Sequence, residues 1–292
     1  MSILVIGRDG QLSESLLRLD PTLTAYGLDK VDLTKPEEAE AAVIAAKPSL
    51  VINAAAHTAV DKAETEEDLA YAINASGAEA IARGAAKVGA AFVQISTDYV
   101  FPGEKDGEWT EDDPTDPLGA YGRTKLAGEQ LVAAANPRAV VIRTAWVYCD
   151  YGANFVKTML RLADRERLTV VADQWGKPTS AVDLAEAILA IAPRLAAAPA
   201  GDPVFGTYHY SGAGTVNWAG FAEAVFEEAR ARGMIESAPE VAHIPSSDYP
   251  TPAKRPANSA MDCTKFETTF GLKTKPWRES LGAVLDILNK GD

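Results

Sequence analysis

Short, mostly apolar runs, each followed by a segment with helical spacing, are the feature that most limits what this chain can fold into. A run of this kind suits a strand that is buried on both faces of a parallel sheet. The clearest runs cover residues 3–6, 49–52, 91–95 and 140–143. Strand and helix alternate in this way up to about residue 148. The alternation predicts an α/β fold with a doubly wound parallel sheet.

The first run ends in a glycine-rich turn, Gly7-Arg8-Asp9-Gly10-Gln11-Leu12-Ser13, which leads into leucines at helical spacing. At such a turn the backbone can approach a pyrophosphate, and the N–H groups of the helix start point at it. Serine stands where a third glycine would allow close packing, and it is small enough to be tolerated. Taken alone, the motif is also compatible with an ordinary strand-to-helix turn.

A second predicted strand, residues 23–28, supports the interpretation that this turn binds a dinucleotide. It ends at Asp29, which lies 22 positions after Gly7. An acidic residue at about this distance accepts hydrogen bonds from an adenosine ribose. Asp32 follows and is a candidate helix cap. Residues 1–150 are therefore predicted to form a Rossmann-type dinucleotide-binding domain.

Chemistry-bearing residues cluster after the later strands. Small residues at 53–56 leave room for a ligand across the sheet edge, and Ser96-Thr97-Asp98 ends the fourth strand at the same edge. Tyr121 and Lys125 share one face of a predicted helix. A nearby ammonium favours phenolate, so we expect it to lower the pKa of the tyrosine towards neutrality. A lone Tyr-x-x-x-Lys pair is nevertheless common and carries little weight by itself.

Several segments have less specific interpretations. Residues 59–90 are predicted to be helical with a break near 74–77, and the acidic cluster Glu64, Glu66, Glu67 and Asp68 is expected to be a solvated face. The polar loop 102–118 is either disordered or folded over a ligand. The Ala- and Pro-rich segment 193–203 is interpreted as a surface connection. His57 is interpreted as a loop or packing residue.

The formal net charge of −13 argues against a general nucleic-acid-binding protein. A local basic pocket for an anionic small molecule remains compatible with it. Lys254 and Arg255 are adjacent cations that form either a solvated pair or a phosphate clamp. No stretch approaches the ~18 apolar residues of a membrane span. The chain has two cysteines, Cys149 and Cys263, which are too few for a disulfide framework and suit a cytoplasmic protein.

Beyond residue 150 the alternation weakens, which predicts a second and smaller α/β unit. We expect residues 151–176 and 214–292 to form this substrate-binding domain. The intervening residues 177–213 are expected to return to the first domain.

Taken together, the motifs resemble the extended short-chain dehydrogenase/reductase superfamily and, within it, the dTDP-4-dehydrorhamnose reductases. The glycine turn, the strand-end Ser96-Thr97-Asp98 and the pair Tyr121 and Lys125 occur in the order typical of the superfamily. The more specific blocks cover residues 10–12, 53–64, 96–101, 121–129, 143–148, 173–179 and 249–259. The resemblance thus extends over nearly the whole chain.

The resemblance implies reduction of the 4-keto group of dTDP-6-deoxy-L-lyxo-4-hexulose to dTDP-L-rhamnose with NADPH or NADH. It makes Tyr121 the general acid, Lys125 its partner and Thr97 the hydroxyl that holds the carbonyl. It assigns sugar contacts to Asp98 and Trp146, and Arg255 is expected at the diphosphate. The positions that match dinucleotide contacts are Gly7, Gly10, Gln11, Leu12, Asp29, Asp32, Leu33, Ala55, Ala56, Tyr121 and Lys125.

The chain departs from the family at a Mg²⁺ site that some members carry at a dimer interface. Ser15 and Val182 stand at the ligand positions, with Glu14 and Asp183 adjacent. The sequence therefore predicts no metal and leaves the choice between a monomer and a homodimer open. Two other functions share these motifs: a non-catalytic, dinucleotide-binding regulatory subunit, and a nucleotide-sugar epimerase or dehydratase. The choice between NADPH and NADH also stays open, because Asp29 suits a free 2′-hydroxyl and Arg8 a 2′-phosphate.

Overall fold

A computed structural model describes residues 1–291 and contains a six-stranded, fully parallel central sheet. The spatial order of its strands is β10-β5-β4-β3-β1-β2. They are β1 Ile3–Ile6, β2 Thr24–Tyr26, β3 Leu50–Asn53, β4 Ala91–Thr97, β5 Ala139–Thr144 and β10 Gly206–His209. The predicted α/β class with a doubly wound parallel sheet is confirmed.

Helices cover both faces of the sheet, which explains why its strands are apolar throughout. On one face α1 (Gln11–Leu19) packs against α8 (Ala181–Ala197), and both meet the sheet through a buried core. On the other face α2 (Pro36–Ala46) packs against α5 (Ala78–Lys87), which in turn packs against α6 (Ala120–Ala135). This arrangement brings the carboxyl ends of β1, β3, β4 and β5 to one edge.

A second group of elements surrounds its own apolar core beside that edge. Two parallel pairs and one antiparallel pair of short strands belong to it: β7 Arg167–Val171 with β12 Glu240–Ile244, β6 Val147–Tyr148 with β9 Thr179–Ser180, and β8 Trp175–Gly176 with β11 Val216–Asn217. Its helices are α7 Phe155–Arg161, α9 Trp218–Ala231 and α11 Trp277–Lys290, whereas the short helix α10 Thr264–Phe270 packs on β10 of the central sheet. Phe221, Phe226 and Leu281 are among the fully buried side chains of this second group. The exact division of the chain into two domains stays a prediction, although β10 does lie in the central sheet.

Three local expectations are corrected. Helix α8 continues through Pro193 to Ala197, so the first part of the expected surface connection 193–203 is helical. Residues 60–87 are interrupted at 64–66, between α3 (Val60–Ala63) and α4 (Glu67–Tyr71). The expected break near 74–77 is instead a π-helical stretch, Ala72–Gly77, that runs directly into α5.

The polar loop 102–118 is ordered by a distant segment. The backbone N–H of Trp109 donates to the carbonyl of Ala260 at 2.8 Å, and Asp262 N–H donates back to the Trp109 carbonyl at 2.8 Å. Lys177 adds an ion pair to Glu108 at 2.6 Å. The loop is therefore packed against residues 256–262.

Within residues 1–291, no helix has the length and apolar character needed to cross a membrane.

Candidate active site

A cavity of about 940 Å³ opens at the carboxyl edge of the central sheet. Ligands bind at this edge in open α/β sheets, where the loops after the strands diverge. The glycine turn, the strand-end residues 95–99, both members of the Tyr121 and Lys125 pair, and Trp146 line it. Residues predicted from four separate motifs therefore share one space.

The glycine turn presents bare backbone to the cavity. Gly7 has φ of +102°, and a Cβ at this position would lie only 2.8–2.9 Å from atoms of Ala55. Its N–H donates to the Tyr26 carbonyl at 2.8 Å, and its carbonyl accepts from the Ser13 hydroxyl. Ser13, at the third-glycine position, is thus fully buried and ties the turn to α1. The missing Cβ of Gly7 thus lets the turn pack closely against Ala55, and the turn borders the cavity at the N-terminus of α1, where a pyrophosphate can bind.

Most of the expected dinucleotide contacts lie on this cavity: Gly7, Gly10, Gln11, Leu12, Asp32, Leu33, Ala55, Ala56, Tyr121 and Lys125. Asp29 does not line it. The Asp29 carboxylate lies beside the cavity, 3.8 Å from the guanidinium of Arg8, and both side chains are about half exposed. Asp32 accepts from the hydroxyl and N–H of Thr34, and these bonds hold the pKa of its carboxyl below the usual range.

Helix α6 carries the tyrosine and the lysine, as expected from their spacing. The Lys125 ammonium is buried and donates to the carbonyl of Ile95 at 2.6 Å. The Thr97 hydroxyl donates to a carboxylate oxygen of Asp98 at 2.9 Å and accepts from the N–H of Tyr99 at 3.2 Å. The ring of Tyr99 meets the ring of Tyr121 edge-on, with centroids 5.6 Å apart. These contacts fix the strand end against the first turns of α6.

The charge state of the tyrosine differs from the sequence-based expectation. Burial raises the pKa of Tyr121 to about 12, and the Thr97 hydroxyl offsets this only in part. Burial also lowers the pKa of Lys125 to about 8, against the opposing effect of the Glu129 carboxylate. The prediction that Lys125 brings the pKa of Tyr121 near neutrality is therefore wrong, because burial governs the shift. The phenol keeps its proton near neutral pH.

Asp98 is a buried carboxyl in the cavity wall. It is 2% exposed, and burial raises its pKa to about 6, while the side chains of Ser259 and Thr97 oppose the rise. One carboxylate oxygen accepts from Thr97, and the other has no hydrogen-bond partner among residues 1–291. Its position suits recognition of a hydroxyl donor.

Trp146 is held rigidly at the cavity wall. Its φ of +47° is rare for a non-glycine residue. Its indole stacks on Trp218 with centroids 3.5 Å apart and planes within 9°. A Cβ on Gly176 would lie 2.6 Å from the indole, so only glycine fits there. The wall therefore offers an immobile apolar face.

Arg255 lies outside the cavity lining. Its guanidinium donates to Asp61 at 3.0 Å and also to the Thr251 hydroxyl. It is only partly exposed and lies close enough to Tyr99 for its charge to lower the pKa of that phenol, although burial keeps the pKa of Tyr99 raised overall. Lys254 is exposed. Arg255 therefore lies next to Tyr99 but outside the cavity lining, whereas Thr97, Asp98 and Trp146 line the cavity.

Sequence reasoning missed several lining residues, notably Trp218, Tyr151 and Ala153. They come from segments far along the chain, and no spacing or motif singles them out. Trp218 begins α9, directly after its capping residue Asn217, whose side chain accepts from Gly220 N–H at 2.8 Å.

The acidic segment after α3 is not simply a solvated face. Glu64 accepts from the N–H of Ala120 at 2.8 Å, at the start of α6. Glu67 forms a two-pronged pair with Arg123, at 2.9 and 3.0 Å. Glu66 lies 3.4 Å from His57. The expectation is wrong for Glu64, because a carboxylate satisfies unpaired N–H groups at a helix N-terminus.

The two acidic residues next to the expected metal positions have protein partners. Glu14 accepts from Arg18 at 2.8 Å. Asp183 accepts from Lys275 at 2.8 Å and from the Ser280 hydroxyl. Among residues 1–291, no cluster of three His, Cys, Asp or Glu side chains could hold a metal ion. The metal and the oligomeric state stay predictions.

Comparison with known proteins shows the same relationship along the entire chain. The family model described as RmlD substrate binding domain matches residues 1–290. A dTDP-4-dehydrorhamnose reductase of Sinorhizobium fredii is 43% identical over 96% of this chain and 95% of its own. The crystal structure of a dTDP-4-dehydrorhamnose reductase from Clostridium acetobutylicum superposes with a TM-score of 0.90 at 40% identity, covering 99% of both chains. That of the Bacillus anthracis reductase, in complex with NADP, gives 0.90 at 34% identity, with 98% and 100% coverage. The resemblance inferred from the motifs is confirmed, and the chain belongs to the dTDP-4-dehydrorhamnose reductase family.

Proposed function

We propose that this protein reduces the 4-keto group of dTDP-6-deoxy-L-lyxo-4-hexulose to give dTDP-L-rhamnose, with NADPH or NADH as the reductant. The observation that carries the proposal is the meeting of Tyr121, Lys125 and Thr97 with the glycine turn in one cavity. The names of the relatives support the same reaction, and NADP in the Bacillus anthracis structure supports the nicotinamide cofactor.

The residues around the glycine turn fit a dinucleotide. Gly7 allows the turn to pack closely against Ala55, and both residues line the cavity. Gly10, Gln11 and Leu12 begin α1, whose N-terminal N–H groups suit an anion. When bound, the reduced nicotinamide supplies the hydride that the carbonyl carbon receives.

Tyr121 is the proton donor for the oxygen of the carbonyl. A phenol with a raised pKa stays protonated until negative charge develops on that oxygen, and it then donates. Thr97 orients the carbonyl through its hydroxyl. Lys125 contributes a buried positive charge that stabilises the developing alkoxide and the phenolate.

The sugar nucleotide contacts the opposite wall. Asp98 accepts a hydrogen bond from a sugar hydroxyl through its unpartnered oxygen. Trp146 packs against the sugar ring, held in place by Trp218. Arg255 interacts with the diphosphate after leaving its partner Asp61, an exchange between anions that arginine's forked donors permit.

The pair of Arg8 and Asp29 sets the cofactor preference. Asp29 accepts from a free 2′-hydroxyl, and Arg8 pairs with a 2′-phosphate. The two groups are 3.8 Å apart and about half exposed, so each is accessible to a ligand. The protein accepts both cofactors, and Arg8→Ala reduces its use of NADPH more than its use of NADH.

The test is incubation of the protein with the dTDP-ketosugar and either NADPH or NADH, with the product identified by NMR. One equivalent of cofactor is oxidised per dTDP-L-rhamnose formed. Turnover without net cofactor consumption would instead indicate an epimerase or dehydratase. Binding of the dinucleotide with no turnover, together with a stoichiometric protein partner in a pull-down, would indicate a regulatory subunit.

The variant Tyr121→Phe tests the proton donor directly. It removes the hydroxyl but keeps the ring that packs against Tyr99. We expect kcat to fall by about 10²-fold or more, with the Kd for NADPH unchanged, since general acid catalysis contributes about 10²–10⁴-fold. Near-wild-type turnover in this variant would mean that another group donates the proton.

A further inference from the structure

One wall of the active-site cavity contains a buried hydroxyl with no protein partner. Thr144 ends β5, is 5% exposed and lines the cavity. Its Oγ1 makes no hydrogen bond with any atom of residues 1–291. A buried polar group in this state destabilises the fold, so its presence at a site calls for an explanation.

The register of the central sheet places this hydroxyl beside the reacting groups. Thr144 is the direct partner of Thr97 in the parallel pairing of β5 with β4. Residues paired in this way direct their side chains to the same face of a sheet. Thr144 therefore lies next to the threonine that we assign to the carbonyl.

The second unpartnered oxygen of the cavity belongs to a neighbouring residue. Asp98 follows Thr97 directly, and its free carboxylate oxygen also has no partner among the described residues. Ser259, whose side chain also lowers the pKa of Asp98, donates to the Trp175 carbonyl at 3.4 Å, and the other polar groups nearby are engaged as well. Ser96 donates to Glu129 at 2.5 Å, Arg143 pairs with Glu129 at 2.7 Å, and Lys125 bonds the Ile95 carbonyl.

The hydrogen-bonding capacities of the two unpartnered oxygens, one of Thr144 and one of Asp98, indicate which group they would bind. A carboxylate only accepts hydrogen bonds, whereas a threonine hydroxyl both donates and accepts. A sugar hydroxyl can donate a hydrogen bond to the carboxylate and can either donate to or accept from the threonine hydroxyl. Since Thr97 and Tyr121 hold the carbonyl, the carbon next to it is the one whose substituent reaches this pair.

We propose that Thr144 is a substrate-binding residue which, with Asp98, holds a hydroxyl on the carbon adjacent to the reacting carbonyl. This inference rests on the proposed reduction of a ketosugar. It adds to that function a residue which selects sugars bearing a hydroxyl at this position.

The variant Thr144→Val tests the assignment, because valine has nearly the same shape and lacks the hydroxyl. We expect the KM for the dTDP-ketosugar to rise about tenfold, the loss typical of one hydrogen bond. We expect the Kd for NADPH to stay the same. The urea midpoint of unfolding should stay level or rise, since an unpaired buried hydroxyl is removed. Thr144→Ser, which keeps a hydroxyl, should restore most of the affinity.

Thr179→Val calibrates the stability measurement. Thr179 is also a fully buried strand residue, but its hydroxyl donates to the Lys177 carbonyl at 3.3 Å. Removal of this bonded hydroxyl should lower the midpoint. Opposite shifts in the two valine variants would show that the hydroxyl of Thr144 serves a ligand and not the fold.

The Kd of dTDP-L-rhamnose, measured by calorimetry for wild type and Thr144→Val, keeps this test independent of turnover. If the wild type fails to turn over ketosugar but binds this ligand about tenfold better than the variant, the reaction is wrong and the binding site stands. Equal affinities would overturn the inference. So would a loss of NADPH affinity alone, which would assign the hydroxyl to the cofactor.

Discussion

Burial governs the charges of the residues that we assign to catalysis. Tyr121, Lys125 and Asp98 line the cavity, and desolvation is the largest cause of the pKa shift of each. Burial disfavours the charged form, so it raises the pKa of the phenol and the carboxyl and lowers that of the ammonium. The three groups thereby acquire different roles over the same pH range: the tyrosine keeps its proton, while the other two titrate.

These shifts predict a bell-shaped dependence of kcat/KM on pH. Below about pH 6, Asp98 becomes protonated and loses its ability to accept from the sugar. Above about pH 8, Lys125 loses its proton and with it the positive charge that stabilises the alkoxide. Tyr121, with a pKa of about 12, stays protonated throughout. Rates measured with the free enzyme and limiting substrate should therefore fall on both sides of this interval.

Asp98→Asn provides the control for the acidic limb. It removes the titrating carboxyl, so the fall below about pH 6 should disappear and the alkaline fall should remain. A wild-type rate that stays level through the alkaline range would show that the charge of Lys125 is not required.

At the scale of elements, α6 is held by two carboxylate contacts, one at its N-terminus and one in its second half. At its start, Glu64 receives the N–H of Ala120 and takes the place of a capping side chain, which Gly119 lacks. Further along, Glu129 pairs with Arg143 of β5 at 2.7 and 2.9 Å. Tyr121 and Lys125 lie between these two anchors.

Of the two ion pairs of α6, the one between Glu129 and Arg143 should contribute more to the free energy of unfolding, because both of its side chains are at most 7% exposed. Glu129→Ala leaves a buried guanidinium without a counter-charge, which costs about 3–5 kcal/mol. Glu67→Ala breaks a pair of similar geometry with Arg123 in which both side chains are 46% exposed. That loss should be about 1 kcal/mol or less. Urea unfolding of both variants measures the difference, and equal losses would contradict the buried-pair argument.

Elements whose cause is local could be predicted from sequence. The apolar runs specify the strands of the central sheet, and the spacing of Tyr121 and Lys125 correctly indicates a shared helix. The prediction of a surface connection from Pro193 was wrong for its first residues, because a proline near the end of a long amphipathic helix is tolerated when packing on the sheet favours continuation.

Contacts between distant segments could not be predicted. Which of four neighbouring carboxylates caps α6 depends on the packing of α3 against that helix, and the acidic pattern is the same for all of them. The stacking of Trp218 on Trp146 likewise joins residues 72 positions apart with no motif to relate them. Even the direction of the pKa shift of Tyr121 depends on burial, which is set by the whole fold.

At the scale of the whole molecule, one cavity is built from widely separated parts of the chain. The glycine turn comes from the first 13 residues, Tyr121 from the middle and Trp218 from the last third. The protein carries a net charge of −13, yet the expected ligands are anions. Affinity must therefore come from local groups, namely backbone N–H donors at the glycine turn and the few cations nearby.

A ligand that bridges such distant segments should stabilise the native state as a unit. NADPH at about one hundred times its Kd should raise the free energy of unfolding by about 2.7 kcal/mol. This should appear as a rise of several degrees in the Tm. We place the dinucleotide and the sugar nucleotide at different ends of the cavity, so dTDP-L-rhamnose added to the NADP⁺ complex should raise the Tm again. Tyr121→Phe removes one hydroxyl and keeps the glycine turn and Trp146, so it should show both increments. A second ligand that cancels the first increment would mean that the two compete for one position, and the arrangement of cofactor and sugar inferred from Gly7 and Trp146 would then be wrong.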